Sequence, residues 1–248
     1  MSKKYSYAQE KCIRTVGKIM QQTEMLYPGA KIGVAISGGV DSFVLLKVLQ
    51  IRQGIVPFHF DLLALHLNPG FDKTNHAPLS AWLVKSGIAS HLEVTDYGLQ
   101  AHSEANLSNS VCFRCAWLRR KHLFNLAAKY HLTHLAFGHN ADDLLQTFFL
   151  NLCQNGRVEG MSLKEPFFGG KLLVIRPLLW LDKKTIIKAA TQWQLPIVIN
   201  PCPSKDATKR SEMREKIKLL TQGQKGAYQT MSNAVQRFQL LQDAQDQR

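Results

Sequence analysis

No part of this sequence is apolar for long enough to cross a membrane. Its longest apolar runs, such as Leu172-Leu-Val-Ile175, fall far short of the ~20 residues a spanning helix needs. The opening Met-Ser-Lys-Lys-Tyr-Ser-Tyr also lacks the apolar core of a secretory signal. No membrane partner is therefore expected, and the expected compartment is the cytoplasm. Acidic residues are scarce, with 18 Asp and Glu against 31 Lys and Arg, a formal charge of +13. An excess of that size favours a polyanionic partner through counterion release. Much of it sits in Arg119-Arg-Lys121, Lys183-Lys184 and the stretch from Lys205 to Lys218. Gly/Ser linkers, proline tracts and internal repeats are missing, which argues against a string of small modules. In a cytosolic chain the five cysteines, Cys12, Cys112, Cys115, Cys153 and Cys202, are not expected to form structural disulfides. Metal binding, redox work or burial remain for them. Neither of the commoner phosphate loops occurs: there is no Gly-x-x-x-x-Gly-Lys-Ser/Thr and no Gly-x-Gly-x-x-Gly.

What is present is a different phosphate loop. The β-branched run Lys31-Ile-Gly-Val-Ala-Ile36 reads as a strand buried on both faces, and Ser37-Gly-Gly-Val-Asp-Ser42 follows it directly. Then comes the helical pattern Phe43, Val44, Leu45, Leu46, Val48, Leu49. A strand, a glycine turn and a helix start place free backbone N–H groups at the positive end of a helix dipole, a geometry that holds phosphate. Ser37 and Ser42 add hydroxyls, Gly38 and Gly39 let the backbone approach the anion, and Asp41 can hold Mg²⁺ or act as an acid.

Strand candidates alternate with helices. The strands are Ile32–Ser37, Asp61–Leu67, His91–Thr95, His134–Phe137, Leu172–Ile175 and Ile197–Ile199. The helices are Asp41–Arg52, Ala77–Lys85, Cys112–His131, Ala141–Leu152 and Lys183–Trp193. This alternation predicts an α/β fold, a doubly wound and mostly parallel sheet with ligands at the carboxyl ends of its strands. An N-terminal helical segment (1–28) leads in. The main domain covers 29–203, and a basic, Gln-rich helical segment (204–248) follows. The amphipathic N-terminal helix needs a surface to cover, either its own sheet or a second copy in a homodimer.

Two further constellations fall near strand ends. Cys112-Phe-Arg-Cys115 opens a helix, where thiol pKa is lowered, and Cys202 follows the candidate strand Pro196–Ile199. By themselves these thiols fit a redox pair, a zinc site completed by His122 or His139, or an iron–sulfur cluster with one iron left open. Cys12 and Cys153 lie in apolar helical patterns and read as core. The turn Ala136-Phe-Gly-His-Asn-Ala-Asp-Asp143 brings Gly138 and His139 to the same rim. Its two carboxylates, Asp142 and Asp143, suit a helix start and equally suit Mg²⁺ or proton transfer beside a phosphate.

Ser37–Ser42 resembles the PP-loop of ATP pyrophosphatases. The order of that loop, Cys112–Cys115 with Leu118-Arg-Arg120, Gly138–Asp143, Val174-Ile-Arg-Pro-Leu178 and Pro201-Cys202 is similar to the TtcA/TtuA group of PP-loop tRNA thiolation enzymes. Within that group the chain most resembles the tRNA 2-thiocytidine synthetase (TtcA) family. The resemblance implies an ATP-dependent tRNA sulfurtransferase that adenylates the C2 oxygen of an anticodon-loop pyrimidine and replaces it with sulfur. It implies a [4Fe-4S] cluster on Cys112, Cys115 and Cys202 with one open iron, together with ATP and Mg²⁺. It further implies a nucleotide site of Ser37, Gly38, Gly39, Asp41, Ser42, His66, Gly138, His139 and Asp143, with Asp41, Asp143 and Arg119 as catalytic residues. The implied partners are tRNA and a sulfur donor, either a cysteine desulfurase or sulfide. The sequence departs from the family pattern in three places: Val40 stands for a usual loop lysine, Gly-His-Asn-Ala-Asp-Asp replaces Gly-His-His-Arg-Asp-Asp, and Pro201-Cys-Pro-Ser-Lys205 lacks a second cysteine. The alternatives are a tRNA(Ile)-lysidine synthetase-like ligase, a nucleotide- and RNA-binding protein with structural zinc, and a cluster-bearing enzyme that acts on a small molecule or removes sulfur.

Overall fold

The computed structural model of the chain describes residues 5–104, 106, 110–198, 201–204 and 208–245. Six strands form one sheet in the order β3-β2-β1-β4-β6-β5. They are β1 (Lys31–Ala35), β2 (Asp61–Asn68), β3 (Ser90–Val94), β4 (His134–Ala136), β5 (Lys164–Phe167) and β6 (Leu172–Ile175). All neighbours run parallel except β5, which pairs antiparallel with β6. The doubly wound expectation therefore holds. β1 lies centrally, with Ile32 and Val34 wholly buried, as its unbroken β-branched run requires.

The helices are α1 (Tyr7–Gln22), α2 (Val40–Gln53), α3 (Ala77–Lys85), α4 (Tyr97–His102), α5 (Val111–Lys129), α6 (Ala141–Leu150), α7 (Lys183–Gln192), α8 (Lys209–Thr221) and α9 (Ala227–Gln245). Ser6 caps α1 reciprocally with Gln9, a capping box that fixes the helix start. The apolar stripe Cys12, Val16, Ile19 packs on α2 and α7 of the same chain, so the surface α1 covers is a helical layer of its own chain. Each such side chain contributes ~1.5–3 kcal/mol by leaving water. Burial pushes the Cys12 thiol up to about 12, which makes it core, as read. α8 and α9 pack on α6 through Met213, Ile217 and Val235. Near the end of α9, Asp243 accepts the backbone N–H of Leu163 at 2.9 Å and a bond from Gln239 at 2.8 Å. No helix among the described residues is long and apolar enough to cross a membrane.

Three readings change. Cys153 is exposed, not core: α6 ends in a π-helical turn, Asn151–Asn155, closed by left-handed Gly156. That turn breaks the 3.6-residue period that placed Cys153 on the apolar stripe. Ile197 and Val198 do not join the sheet. Instead the Val198 N–H donates to the Gly38 carbonyl at 2.9 Å, so this segment lies across the phosphate loop; the candidate strand's last residue, 199, falls outside the described residues. β5, Lys-Glu-Pro-Phe, was not anticipated. It is polar and carries a proline, which only an edge strand tolerates.

Candidate active site

The sheet order reverses between β1 and β4, and in open α/β sheets ligands bind at that crevice. Two helix N-termini meet there. α2 begins immediately after Ser37-Gly-Gly, and its N-cap, Gly39, supplies no capping side chain. First-turn N–H groups of α2 are thus left for an anion. The loop is braced from within: the Ser42 hydroxyl donates to the Gly39 carbonyl at 2.8 Å and accepts the Ser37 N–H at 3.2 Å. The Gly39 N–H reaches the Ser37 hydroxyl at 3.3 Å. Gly38 has φ +87°, a left-handed conformation, and a Cβ there would lie 3.1 Å from that of Val198. Gly38→Ala is therefore expected to cost ~1–3 kcal/mol of stability and to weaken nucleotide binding. Denaturation midpoints and the KM for ATP check both.

β4 leads into the second N-terminus. Gly138 packs on the loop so closely that a Cβ would stand 3.1 Å from Asp41 C and Ser42 N. Asn140 caps α6, accepting from the N–H groups of Asp142 (2.9 Å) and Asp143 (3.2 Å), while its own N–H donates to Asp143 Oδ2 at 3.1 Å. Its amide also donates to Asp41 Oδ1 at 3.0 Å, tying the two loops together. A third helix start follows β6: the Lys183 N–H donates to Asp142 Oδ2 at 2.9 Å, and the Lys183 ammonium is ion-paired with Asp41.

A cavity of about 310 Å³ opens on this arrangement. Its walls include Ser37, Asp41, Ser42, Arg119, His139 and Asp143, which is within the range of small-ligand pockets. Asp143 is deep in this wall. Burial raises its pKa, the Asn140 N–H partly offsets that, the Asp41 carboxylate pushes it further up, and Arg210 and Lys183 pull it down. Arg119 lies deep among protein atoms yet faces the cavity, and burial lowers its pKa. Burial and the positive charges of Arg176, Arg210 and Arg120 press His139 down to about 3, so it is neutral near pH 7. Arg119 Nε and His139 Nδ1 have no protein partner among the described residues. Orphaned buried polar atoms lining a cavity are what a bound polar ligand would satisfy. His66 is buried beside this site: its Nδ1 bonds the carbonyl of Ile36, a cavity-lining residue, at 2.8 Å, and burial lowers its pKa to about 4. It does not line the cavity.

The thiols lie at one end of this site. Ser110 caps α5 by accepting the Phe113 N–H at 3.3 Å, which puts Cys112 and Cys115 in the first turns. Ala116, Arg119, Arg120 and Leu123 of the same helix line the cavity. The segment 201–204 is held alongside: His102 Nε2 lies 3.0 Å from the Ser204 hydroxyl, and Cys112 Sγ lies 4.0 Å from the Ser204 carbonyl. Burial raises the Cys115 pKa, the Arg119 cation lowers it, and the nearby thiols of Cys202 and Cys112 raise it again. Among the described residues no three Cys, His, Asp or Glu side chains are arranged around a single metal ion. A cluster makes a weaker demand on geometry, because each thiolate binds a different iron and the three sulfurs stand further apart. The groups that act on Cys115 are Arg119 and two further thiols, Cys202 and Cys112, and thiols are the donors that suit soft iron–sulfur ligation.

Three residues at this site escaped the sequence reading: Asn140, Lys183 and Arg210. Asn140 was legible as an N-cap type before Ala-Asp-Asp. Lys183 and Arg210 appeared only as members of basic runs.

Comparison with known proteins agrees with this geometry. The PP-loop domain model ATP_bind_3 matches residues 8–221. The tRNA-cytidine(32) 2-sulfurtransferase of Dichelobacter nodosus (strain VCS1703A) is 34% identical over 203 residues, covering 82% of this chain and 76% of that protein. The enzyme of the same name from Photorhabdus laumondii subsp. laumondii is 34% identical, covering 92% of this chain and 75% of its own. Among solved structures, the U34-tRNA thiolase NcsA from Methanococcus maripaludis with its [4Fe-4S] cluster superposes with TM-score 0.76 at 24% identity, covering 94% of this chain and 78% of that one. That superposition supports the fold. The sequence matches go further: this chain belongs to the tRNA-cytidine(32) 2-sulfurtransferase family of PP-loop proteins.

Proposed function

We propose that the protein is an ATP-dependent, iron–sulfur-dependent tRNA sulfurtransferase that converts cytidine 32 of tRNA to 2-thiocytidine. The observation that carries the proposal is the continuity of the two half-sites. α5 lines the nucleotide cavity with Arg119 and Arg120 and carries Cys115 about one turn and Cys112 about two turns away.

In this reading the α2 N-terminus and the Ser37 hydroxyl hold the ATP phosphates, on a loop braced by the Ser42 hydroxyl. Asp41 and Asp143 would hold Mg²⁺, which would supply a counter-charge shared by their two carboxylates. Lys183, ion-paired with Asp41, supplies beside the phosphate loop a cation that Val40 withholds. Arg119 and Arg120 neutralise charge growing on the α-phosphate. The cytidine C2 oxygen attacks the α-phosphorus, and pyrophosphate leaves. Hydrosulfide then adds at C2, AMP departs with the former oxygen, and a proton is lost, so the exchange is redox-neutral. Cys112, Cys115 and Cys202 would hold a [4Fe-4S] cluster, whose iron without a protein ligand supplies a place for the incoming sulfide. Sulfide is the form this redox-neutral exchange consumes; sulfur from a cysteine desulfurase arrives as a persulfide and needs two electrons from a thiol reductant to become sulfide.

The test is nucleoside analysis of tRNA from cells that lack the gene. 2-Thiocytidine is expected to vanish and to return when the intact gene is restored. Unchanged 2-thiocytidine would overturn the proposal.

A further inference from the structure

The outer face of α5 carries side chains that the two half-sites leave unused. Phe113 is 60% exposed and Trp117 45% exposed. Four residues apart on a helix, they share one face. Two cations cover the Trp117 ring: the Arg114 guanidinium carbon lies 5.2 Å from its centroid and Lys121 Nζ 5.3 Å. Arg114, three residues before Trp117, and Lys121, four after it, flank the same strip. Neither makes a salt bridge among the described residues. The alkyl stems of the two cations shield part of the indole, but Phe113 has no such cover. Two large aromatics left in water beside unpaired cations are suited to a ligand that offers flat π-faces and negative charge together. A single-stranded nucleic acid does so: its bases stack on aromatic rings whatever their identity, and its phosphates meet the cations.

We propose that Phe113 and Trp117 form a stacking platform for unpaired bases of the tRNA anticodon loop, with Arg114 and Lys121 on the adjacent phosphates. This rests on the tRNA substrate proposed above and adds the surface that would present it. The positioning argument is geometric. The platform and the cavity-lining strip Ala116, Arg119, Arg120, Leu123 occupy neighbouring faces of one helix, and the whole helix is only ~10–12 Å across with its side chains. An RNA loop laid over α5 can stack bases on the outer face while one extruded nucleotide enters the cavity. The target base then passes between the nucleotide cradle and the thiols, which occupy the first turns of the same helix. Trp117 and Phe113 are positioning residues in this account, since they hold neighbouring bases and not the reacting one.

The experiment measures binding of an anticodon stem-loop RNA with cytidine at position 32 to the full chain, purified without oxygen. F113A/W117A is expected to weaken binding about ten-fold or more, with iron content and ATP affinity unchanged. W117F, which keeps an aromatic face, should retain most of the affinity. R114Q/K121Q should flatten the dependence of log affinity on log salt by roughly one to two. If the wild-type protein binds the stem-loop and F113A/W117A binds it equally well, the platform is overturned while the tRNA reading stands. If the wild-type protein binds no stem-loop, both fall. Loss of binding by W117F equal to that of F113A/W117A would also overturn stacking as the mechanism.

Discussion

Cys115→Ala is expected to strip the protein of its iron and to lower tRNA thiolation by at least about a hundred-fold. tRNA-dependent exchange of pyrophosphate into ATP should survive. The separation follows from where the residue stands. Cys115 is on α5 next to Cys112 and Cys202, which both act on its titration, whereas the phosphate loop is built on β1 and α2 with no thiol in it. No spare ligand is at hand. Cys12 is wholly buried on the inner face of α1, and Cys153 projects from the exposed turn after α6. Burial holds the free Cys115 thiol protonated, so loading the site must displace a proton, and assembly should slow as the medium is made more acidic. Second-sphere changes alone cost 10- to 100-fold at metal sites, so removing a ligand should cost no less. The measurements are iron content, visible absorption and thiolation turnover of the anaerobically purified variant. A Cys115→Ala protein with full iron and wild-type turnover would sink the three-thiol assignment.

The parts of this molecule legible in its sequence are those where local chemistry and long-range packing ask for the same residues. Ser37–Ser42 follows a β-branched run and opens an amphipathic helix, so the strand, the turn and the anion site coincide. The same holds for Gly138–Asp143, where Asp143 completes the capping box of α6 and also lines the cavity. Legibility fails where the partner is distant. Lys183 looks like one of two adjacent surface lysines, yet the helix that follows β6 packs on α2 and places its ammonium on Asp41. Arg210 looks like part of a basic tail, but packing α8 on α6 brings its charge to bear on His139 and Asp143. Ile197-Val198 has the composition of a strand and is used as a strap over Gly38, because the edge next to β6 is already taken by β5. α4 is too short, at six residues, to show a period.

Asp143→Asn is expected to lower adenylation by ~10²–10⁴-fold, the range for losing a placed acid, base or charge at the reacting centre, and to make the protein more stable near pH 7. Asparagine keeps the shape and the oxygen that accepts the Asn140 N–H, bonded at 3.1 Å in the wild type. It removes only the charge. That charge is unfavourable in the unliganded fold: burial raises the Asp143 pKa, and the Asp41 carboxylate raises it further. A carboxyl with a raised folded-state pKa binds more protons folded than unfolded, so stability declines as pH rises from the ordinary value of 3.8 through the raised one. Above that window the penalty is constant, and the asparagine variant escapes it. Thermal midpoints of the two proteins should therefore converge below about pH 3.8 and separate as pH rises, with the variant higher. Mg²⁺ and ATP should reverse the order, because only the wild type gains from neutralising Asp143 and Asp41 together. A variant that kept normal adenylation would show that the carboxylate serves only as the cap of α6. A variant less stable than wild type at pH 7 would show that Arg210 and Lys183 already offset its charge. The gain without ligand and the loss with it are two readings of one buried carboxylate, whose negative charge the unliganded fold disfavours and a bound cation would favour.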